Sequence, residues 1–329
     1  MTDVWHESVS ALDGPTRRLA EELHEDGIQL AVDVDVLALV LEELDHARRA
    51  PVFENRPPFY GSFVLPPGDD PLDHDGLDVI DLSVLELAGA RTYADGRLAF
   101  LLRRPGDPPA LACFDQQLSF EADVVRVQEA SGAHIVQRTA VLSVPRLYTD
   151  GAVIAWNGRQ WTCRPTASAL APAVMQAAPA LHPSIAHHAL ELAVHWLSPG
   201  RVGATLVLLD DDVPWTSFDT ATATRAPALS IANRRHFPAL LAALRQHDLA
   251  TVVDAEGNVR KIGVGLRYSR EADDAIPGNR GMRHRSAQRF SYDNAAATVV
   301  VVSEDGPVTV FRRGEAVGPG APAPVRDVG

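Results

Sequence analysis

Gly281-Met282-Arg283-His284-Arg285-Ser286-Ala287 puts two guanidiniums, an imidazole and a hydroxyl side by side. A helical pattern follows from Ser286 to Asn294, and an apolar run from Ala295 to Val302 then reads as a buried strand. Arginine side chains and free backbone N–H groups at a helix start can hold phosphate oxygens. Taken alone, Arg-His-Arg is equally well a solvated basic turn, so the flanking sequence has to decide.

The chain has 329 residues, enough for about two domains. With 46% hydrophobic and 22% charged residues it has the composition of a soluble globular protein. Two cysteines far apart, Cys113 and Cys163, fit a reducing compartment and exclude a disulfide scaffold or a four-cysteine zinc site. No leader pattern opens the chain and no run of about 18 apolar residues occurs, so it reads as cytoplasmic, without membrane contact. A net charge of −13 disfavours broad nucleic-acid binding but leaves room for a local phosphate site. Lys261 is the only lysine, and it lies outside any glycine loop of the GxxxxGK[ST] type. HExxH and GxSxG are also missing. A triphosphate would therefore have to be neutralised by arginine and a metal ion.

The first half reads as α+β. Residues 4 to 50 are helical in pattern, with Thr16 as a cap and Leu37, Val40, Leu41 and Leu44 at helix spacing. The acidic residues Glu21, Glu22, Glu42, Glu43 and Asp45 read as a solvated face. Pro51 to Asp75 reads as a loop with one short strand near Phe59 to Leu65. Strands are expected over Val79–Leu87, Leu98–Arg103, Ala110–Phe114, Ala133–Val144, Ala152–Trp156 and Gln160–Arg164, with a helix over Phe120–Ala130. His74, Asp75 and His134 are unconvincing metal ligands. Domain limits are set at 1–165, with an alanine- and proline-rich linker at 166–183 that is partly ordered at best.

The second half, 184–316, alternates helices with apolar strands, as in an α/β domain with a mixed twisted sheet flanked by helices. Ser184 caps a helix through Leu197. His187 and Glu191 lie one turn apart on it, but with no third ligand nearby the histidines read as helix-packing groups. Val202–Leu209 is a strand, Pro238–Arg245 a helix, and Leu249–Val253 and Val259–Leu266 a hairpin. Tyr268–Arg280 is a charged loop. Thr298–Val302 and Val308–Arg312 are the last strands, and 317–329 is a disordered tail.

Three polar elements stand at element ends: His247-Asp248 before a strand, Arg283-His284-Arg285-Ser286 at a helix start, and Ser303-Glu304 after a strand. Sheets of this class bind ligands at such ends. Carboxylates can hold a divalent metal and arginines a polyphosphate, a combination suited to nucleotidyl transfer.

With these motifs in order, residues from about 184 to 315 resemble the bacterial diadenylate cyclase domain. Val202-Gly203-Ala204-Thr205-Leu206-Val207 is similar to the family's Gly-Ala-Leu-Ile-Val strand, and His247-Asp248-Leu249-Ala250 to its Asp-Gly-Ala motif. Gly281-Met282-Arg283-His284-Arg285-Ser286-Ala287 is similar to Gly-Thr-Arg-His-Arg-Ala/Ser-Ala, and Val301-Val302-Ser303-Glu304 to Val-Val-Ser-Glu. Gly314-Glu315 matches the family's Asn-Gly-Glu turn.

The resemblance implies a cytoplasmic transferase that makes the second messenger cyclic di-AMP and pyrophosphate from two ATP molecules. The 3′-hydroxyl of one ATP attacks the α-phosphorus of another across a face-to-face dimer, aided by Mg2+ or Mn2+. On the same basis Asp248, Arg283, His284 and Arg285 are the catalytic set, and Asp248, His247 and Glu304 the metal side. Gly203, Ala204, Thr205 and Leu206 line adenine and ribose. Leu249, Ala250, Gly281, Met282, Ser286 and Ser303 complete the nucleotide site. The first half then becomes a sensor domain for an unknown signal ligand.

Asp150-Gly151-Ala152 spells the Asp-Gly-Ala motif letter for letter but precedes the glycine-alanine strand, and Asp-Gly is an ordinary hairpin turn. The expected aspartate is Asp248. Leu249 stands where the family has glycine, and Met282 where it has threonine. These departures motivate an alternative: a catalytically weak or inactive nucleotide-binding module of the same fold. A non-nucleotide interaction protein is the third reading.

Overall fold

Period-two apolar patterning yields two sheets, one in each half of the chain. The computed structural model describes residues 9–10, 12–49, 59–68, 76–138, 144–210, 213–276, 281–304 and 306–318. Contacts between Cα atoms divide the chain into two units, Met1–Arg164 and Pro165–Gly329. His74, Asp75 and most of the expected C-terminal tail lie outside the described residues.

The N-terminal unit begins with helices α1 (Gly14–Glu25) and α2 (Val34–Arg49). Asp13 caps α1, accepting a hydrogen bond from Thr16 N at 3.1 Å. There follow β1 (Tyr60–Val64), β2 (Leu77–Asp81), α3 (Leu87–Arg91), β3 (Ala99–Arg103), β4 (Ala110–Phe114) and α4 (Glu121–Ser131). The unit closes with β5 (His134–Arg138), β6 (Pro145–Thr149), β7 (Ala152–Trp156) and β8 (Trp161–Pro165). The sheet order is β2-β4-β3-β1-β5-β6-β7-β8, with β1 and β3 parallel. Helices α1 and α2 cover one face through Leu23, Leu37 and Leu41, and α4 covers the other through Val124 and Val127. One expected strand is shorter than read: the Val79–Leu87 strand ends at Asp81. Of the Ala133–Val144 strand, β5 covers His134–Arg138, and residues 139–143 lie outside the described residues.

The stretch expected to be a linker at 166–183 carries helix α5 (Ala167–Ala177). Alanine has the highest helix propensity, Thr166 Oγ1 caps the first turn, and Leu170, Ala171 and Val174 are buried in the core of the C-terminal unit. This burial keeps the helix in spite of Pro172, which has no N–H to donate.

Helix α6 (Pro183–Glu191) continues as a π-helix over Leu192–Leu197. Its cap is His182 rather than Ser184, because the His182 ring accepts from Ser184 N. His195 Nε2 accepts the Ala167 N–H at 3.1 Å, which makes His195 a packing histidine, and Glu191 is spent on Arg234 at 2.6 Å.

After these come β9 (Ala204–Leu209), β10 (Phe218–Asp219), β11 (Thr224–Arg225), α7 (Phe237–Leu244), β12 (Ala250–Val253), β13 (Val259–Leu266) and α8 (Arg270–Ala275). The unit ends with α9 (Met282–Asp293), β14 (Ala297–Val302), β15 (Val308–Arg312) and β16 (Glu315–Val317). The sheet runs β10-β13-β12-β9-β14-β15-β16, with β11 also on β13, and among the described residues β9 and β12 are its one parallel pair. Ala204, Leu206, Val300 and Val302 face α5, α6 and α7. Val207, Leu209, Val299 and Val301 face Ala287 and Phe290 of α9. Helices thus cover both faces of a mixed sheet, the α/β architecture expected. Val317, expected in the tail, belongs to β16. Among the described residues no helix is long and apolar enough to cross a membrane.

Candidate active site

Parallel strands β9 and β12 start at the same edge of the sheet, since Thr251 pairs with Leu206. Antiparallel β14 ends there, since Val302 pairs with Ala204. The three polar motifs of the sequence therefore meet at this edge. They line a cavity of about 530 Å³ together with Thr205, Val264 and Leu266. Asp248, Leu249 and Ala250 enter from the start of β12, Ser303 and Glu304 from the end of β14, and Gly281, Met282, Arg283, His284 and Ser286 from the start of α9.

Helix α9 starts at Met282, four residues before the pattern suggested, with Gly281 as its N-cap and no side-chain cap. Its first-turn N–H groups and the positive end of its dipole therefore face the cavity. Residues two apart on a helix point in different directions. Arg283 lines the cavity and Arg285 does not.

Arg283 stands between the two acidic motifs. Its Nη2 lies 3.7 Å from Asp248 Oδ1 and 3.8 Å from Glu304 Oε1. Gly203 borders this arginine: a Cβ there would fall on the guanidinium and 2.8 Å from Glu304 Cγ. His284 Nε2 lies 3.3 Å from Thr309 Oγ1, and its ring meets Phe311 edge-on, so β15 fixes its orientation. Ser286 Oγ donates to the Arg283 carbonyl at 3.1 Å.

Other expected residues are not brought to the cavity. Ala204 and Leu206 point to the opposite face of β9, as the two-residue period of a strand requires, and only Thr205 of that strand lines the site. His247 does not line it either; its Nδ1 donates to the Ala243 carbonyl at 2.8 Å. Leu249 is not a core residue but is 43% exposed at the cavity, and Met282 is 78% exposed at its rim. Asp150 sits in the two-residue turn between β6 and β7, accepting from Gln128 Nε2 at 3.2 Å, with Gly151 at φ 67°.

Val264 and Leu266 escaped the sequence reading. Between Ile262 and Val264 the register with β12 shifts, and Gly263 takes φ 79°. This bulge sends Ile262 to one face and Val264 to the other. Only the glycine hinted at it.

Asp248 and Glu304 offer hard oxygen donors, suited to Mg2+ or Mn2+. Among the described residues no group of three or more His, Cys, Asp or Glu side chains could hold a metal ion. The donor set fits an ion that takes its remaining ligands from water and nucleotide phosphates, the usual way Mg2+ is held.

Comparison with known proteins agrees with this picture. Residues 191–316 match a family model, DAC, described as "DisA bacterial checkpoint controller nucleotide-binding". Residues 17–164 match another, described as "Probable sensor domain DACNK". A solved structure of a hypothetical membrane spanning protein from Bacillus cereus is 20% identical, with 46% of this chain and 66% of that one covered and a TM-score of 0.30. A double mutant of DacA from Staphylococcus aureus is 19% identical, with coverage of 41% and 86% and a TM-score of 0.33. The chain thus spans just under two thirds of the first of these. No curated protein matches the chain. Residues 191–316 thus match the diadenylate cyclase (DAC) domain family, and residues 17–164, ahead of them in the chain, match a sensor-domain family.

Proposed function

We propose that the C-terminal unit makes cyclic di-AMP and two pyrophosphates from two ATP molecules, each held by one of two facing copies. The observation that carries this reading is the convergence of Asp248, Glu304 and Arg283 at the uncapped start of α9. A cavity of about 530 Å³ suits one nucleotide. Closing a ring of two nucleotides therefore calls for a second copy.

Arg283 and the first-turn N–H groups of α9 bind phosphate oxygens and offset the charge that builds on them. His284, braced by Thr309, adds a further donor on the same side. Asp248 and Glu304 would hold Mg2+ or Mn2+, which would supply charge neutralisation for the phosphates and a more acidic ribose hydroxyl. The apolar wall of Ala250, Val264 and Leu266 takes the less polar end of the nucleotide. The 3′-oxygen of one ATP bonds to the α-phosphorus of the other and pyrophosphate leaves. The hydroxyl proton passes to a carboxylate at the cavity mouth or to solvent.

Incubating the purified chain with ATP and Mn2+ should yield cyclic di-AMP. Asp248→Asn should lower turnover by about a hundredfold or more. Asp150→Asn should leave turnover intact; the reverse pattern would move the active site to the N-terminal unit. One observation favours a second reading, a module that binds the nucleotide without turnover: Leu249 fills cavity space where the related motif has glycine. A melting temperature raised by ATP with no cyclic product would support it. The N-terminal sensor domain would act by binding an unknown signal ligand.

A further inference from the structure

We infer that Arg283 is a counter-ion latch: its guanidinium holds a place beside both Asp248 and Glu304 that a divalent cation would need. The inference deepens the cyclase reading and rests on it. One nitrogen, Nη2, lies 3.7 Å from Asp248 Oδ1 and 3.8 Å from Glu304 Oε1. Both separations exceed a hydrogen bond, so the contacts are loose ion pairs. The Asp248 and Glu304 side chains are 95% and 75% exposed, whereas that of Arg283 is 23% exposed. Exposed pairs of this kind are weak, so the latch opens readily.

The seat for the guanidinium is built into the chain. Gly203 has no side chain, and a Cβ there would collide with the guanidinium and with Glu304. Arginine suits the position because it stays charged at any working pH, and Nη2 alone reaches both carboxylates while Nη1 lies against Gly203. A bare divalent cation approaching the pair meets this positive charge and binds somewhat less tightly than it would without it. A nucleotide changes the balance. Its phosphates draw Arg283 to themselves, and the carboxylates are released to the ion that the triphosphate carries. Metal and nucleotide then enter together. Arg283 acts here as a positioning residue, in addition to its contact with phosphate.

The test uses Mn2+ alone, with the free ion followed by electron paramagnetic resonance and no nucleotide present. Arg283→Gln and Arg283→Met should each bind Mn2+ roughly three- to tenfold more tightly than the native chain. Arg283→Met keeps the apolar stem, so it answers the question should the glutamine variant fold poorly. Arg285→Gln removes the same charge from the same helix at a position that does not line the cavity, and it should match the native chain. Arg283 variants within twofold of native overturn the latch, and so does an equal gain in Arg285→Gln, which would reduce the effect to net charge. The cyclase reading fails separately, when the native chain makes no cyclic di-AMP from ATP whatever its Mn2+ affinity.

Discussion

Glu43 in the N-terminal unit and Glu304 in the C-terminal unit both face arginine, in opposite surroundings. Glu43 is fully buried and accepts from Arg91 at 3.1 and 2.9 Å, from Arg103 and from the Tyr60 hydroxyl. Glu42 beside it takes both arginines again at 3.1 Å. Burial, then the Glu43 charge, holds the Tyr60 phenol well above its ordinary pKa. Glu304 is 75% exposed and meets Arg283 at 3.8 Å. The first set of charges is desolvated and closed on itself, so removing one member strands the others. The second is hydrated and loosely paired, and so remains available to a ligand.

The comparison breaks most visibly at Glu43. Glu43→Ala should destabilise the N-terminal unit by about 3–5 kcal/mol, because Arg91 and Arg103 stay behind without their buried partner. Glu304→Ala should change stability by only about 0.5 kcal/mol. Hydrogen exchange read by mass spectrometry reports each unit separately. Equal losses at the two glutamates would erase the distinction.

This contrast was not legible in the sequence. Glu42 and Glu43 look like a solvated helix face, and their partners come from β1, α3 and β3, as many as 61 residues further on for Glu42 and Arg103. The cavity was far more legible, because each of its motifs sits at an element end and the order of motifs survives folding. What failed there was local phase. A helix beginning at Ser286 would leave Arg283 and Arg285 in a loop, free to converge. A helix beginning at Met282 turns them roughly 200° apart. The bulge at Gly263 broke the two-residue period in the same way, and burial of Leu170 and Val174 made a helix of a stretch whose alanines and prolines suggested a linker.

Acid gives a smaller test of the buried network. His46 stacks edge-on against Tyr60, with ring centroids 4.6 Å apart. Burial, helped by Arg91, holds its pKa below the ordinary 6.5, and burial does the same for His134. The unfolded chain therefore takes up protons more readily than the folded unit as pH falls below 6.5. Stability is fully present above that pH and declines below it until the folded histidines also protonate. Protection of α2 and β1 should thus decrease between pH 7 and pH 5, and His46→Phe should flatten part of the decline. A profile unchanged by that substitution would remove His46 from the account.

The smallest effect belongs to Leu249, and it sharpens the comparison from the cavity side. Leu37 in the N-terminal unit is fully buried in a core that would collapse poorly around a hole; Leu249 is 43% exposed and has cavity on one side. Its backbone is not in the left-handed region, so leucine is unstrained there and glycine would gain only space. Leu249→Gly should therefore lower stability by no more than about 1 kcal/mol. The gain should appear in nucleotide binding: the ATP-induced rise in melting temperature should grow, with affinity improved by roughly threefold where the side chain now narrows the site. A variant that loses ATP binding at unchanged stability would mean that Leu249 is an apolar contact for the nucleotide and not an obstruction. The departure from glycine would then mark a different fit to the ligand rather than a weakened one.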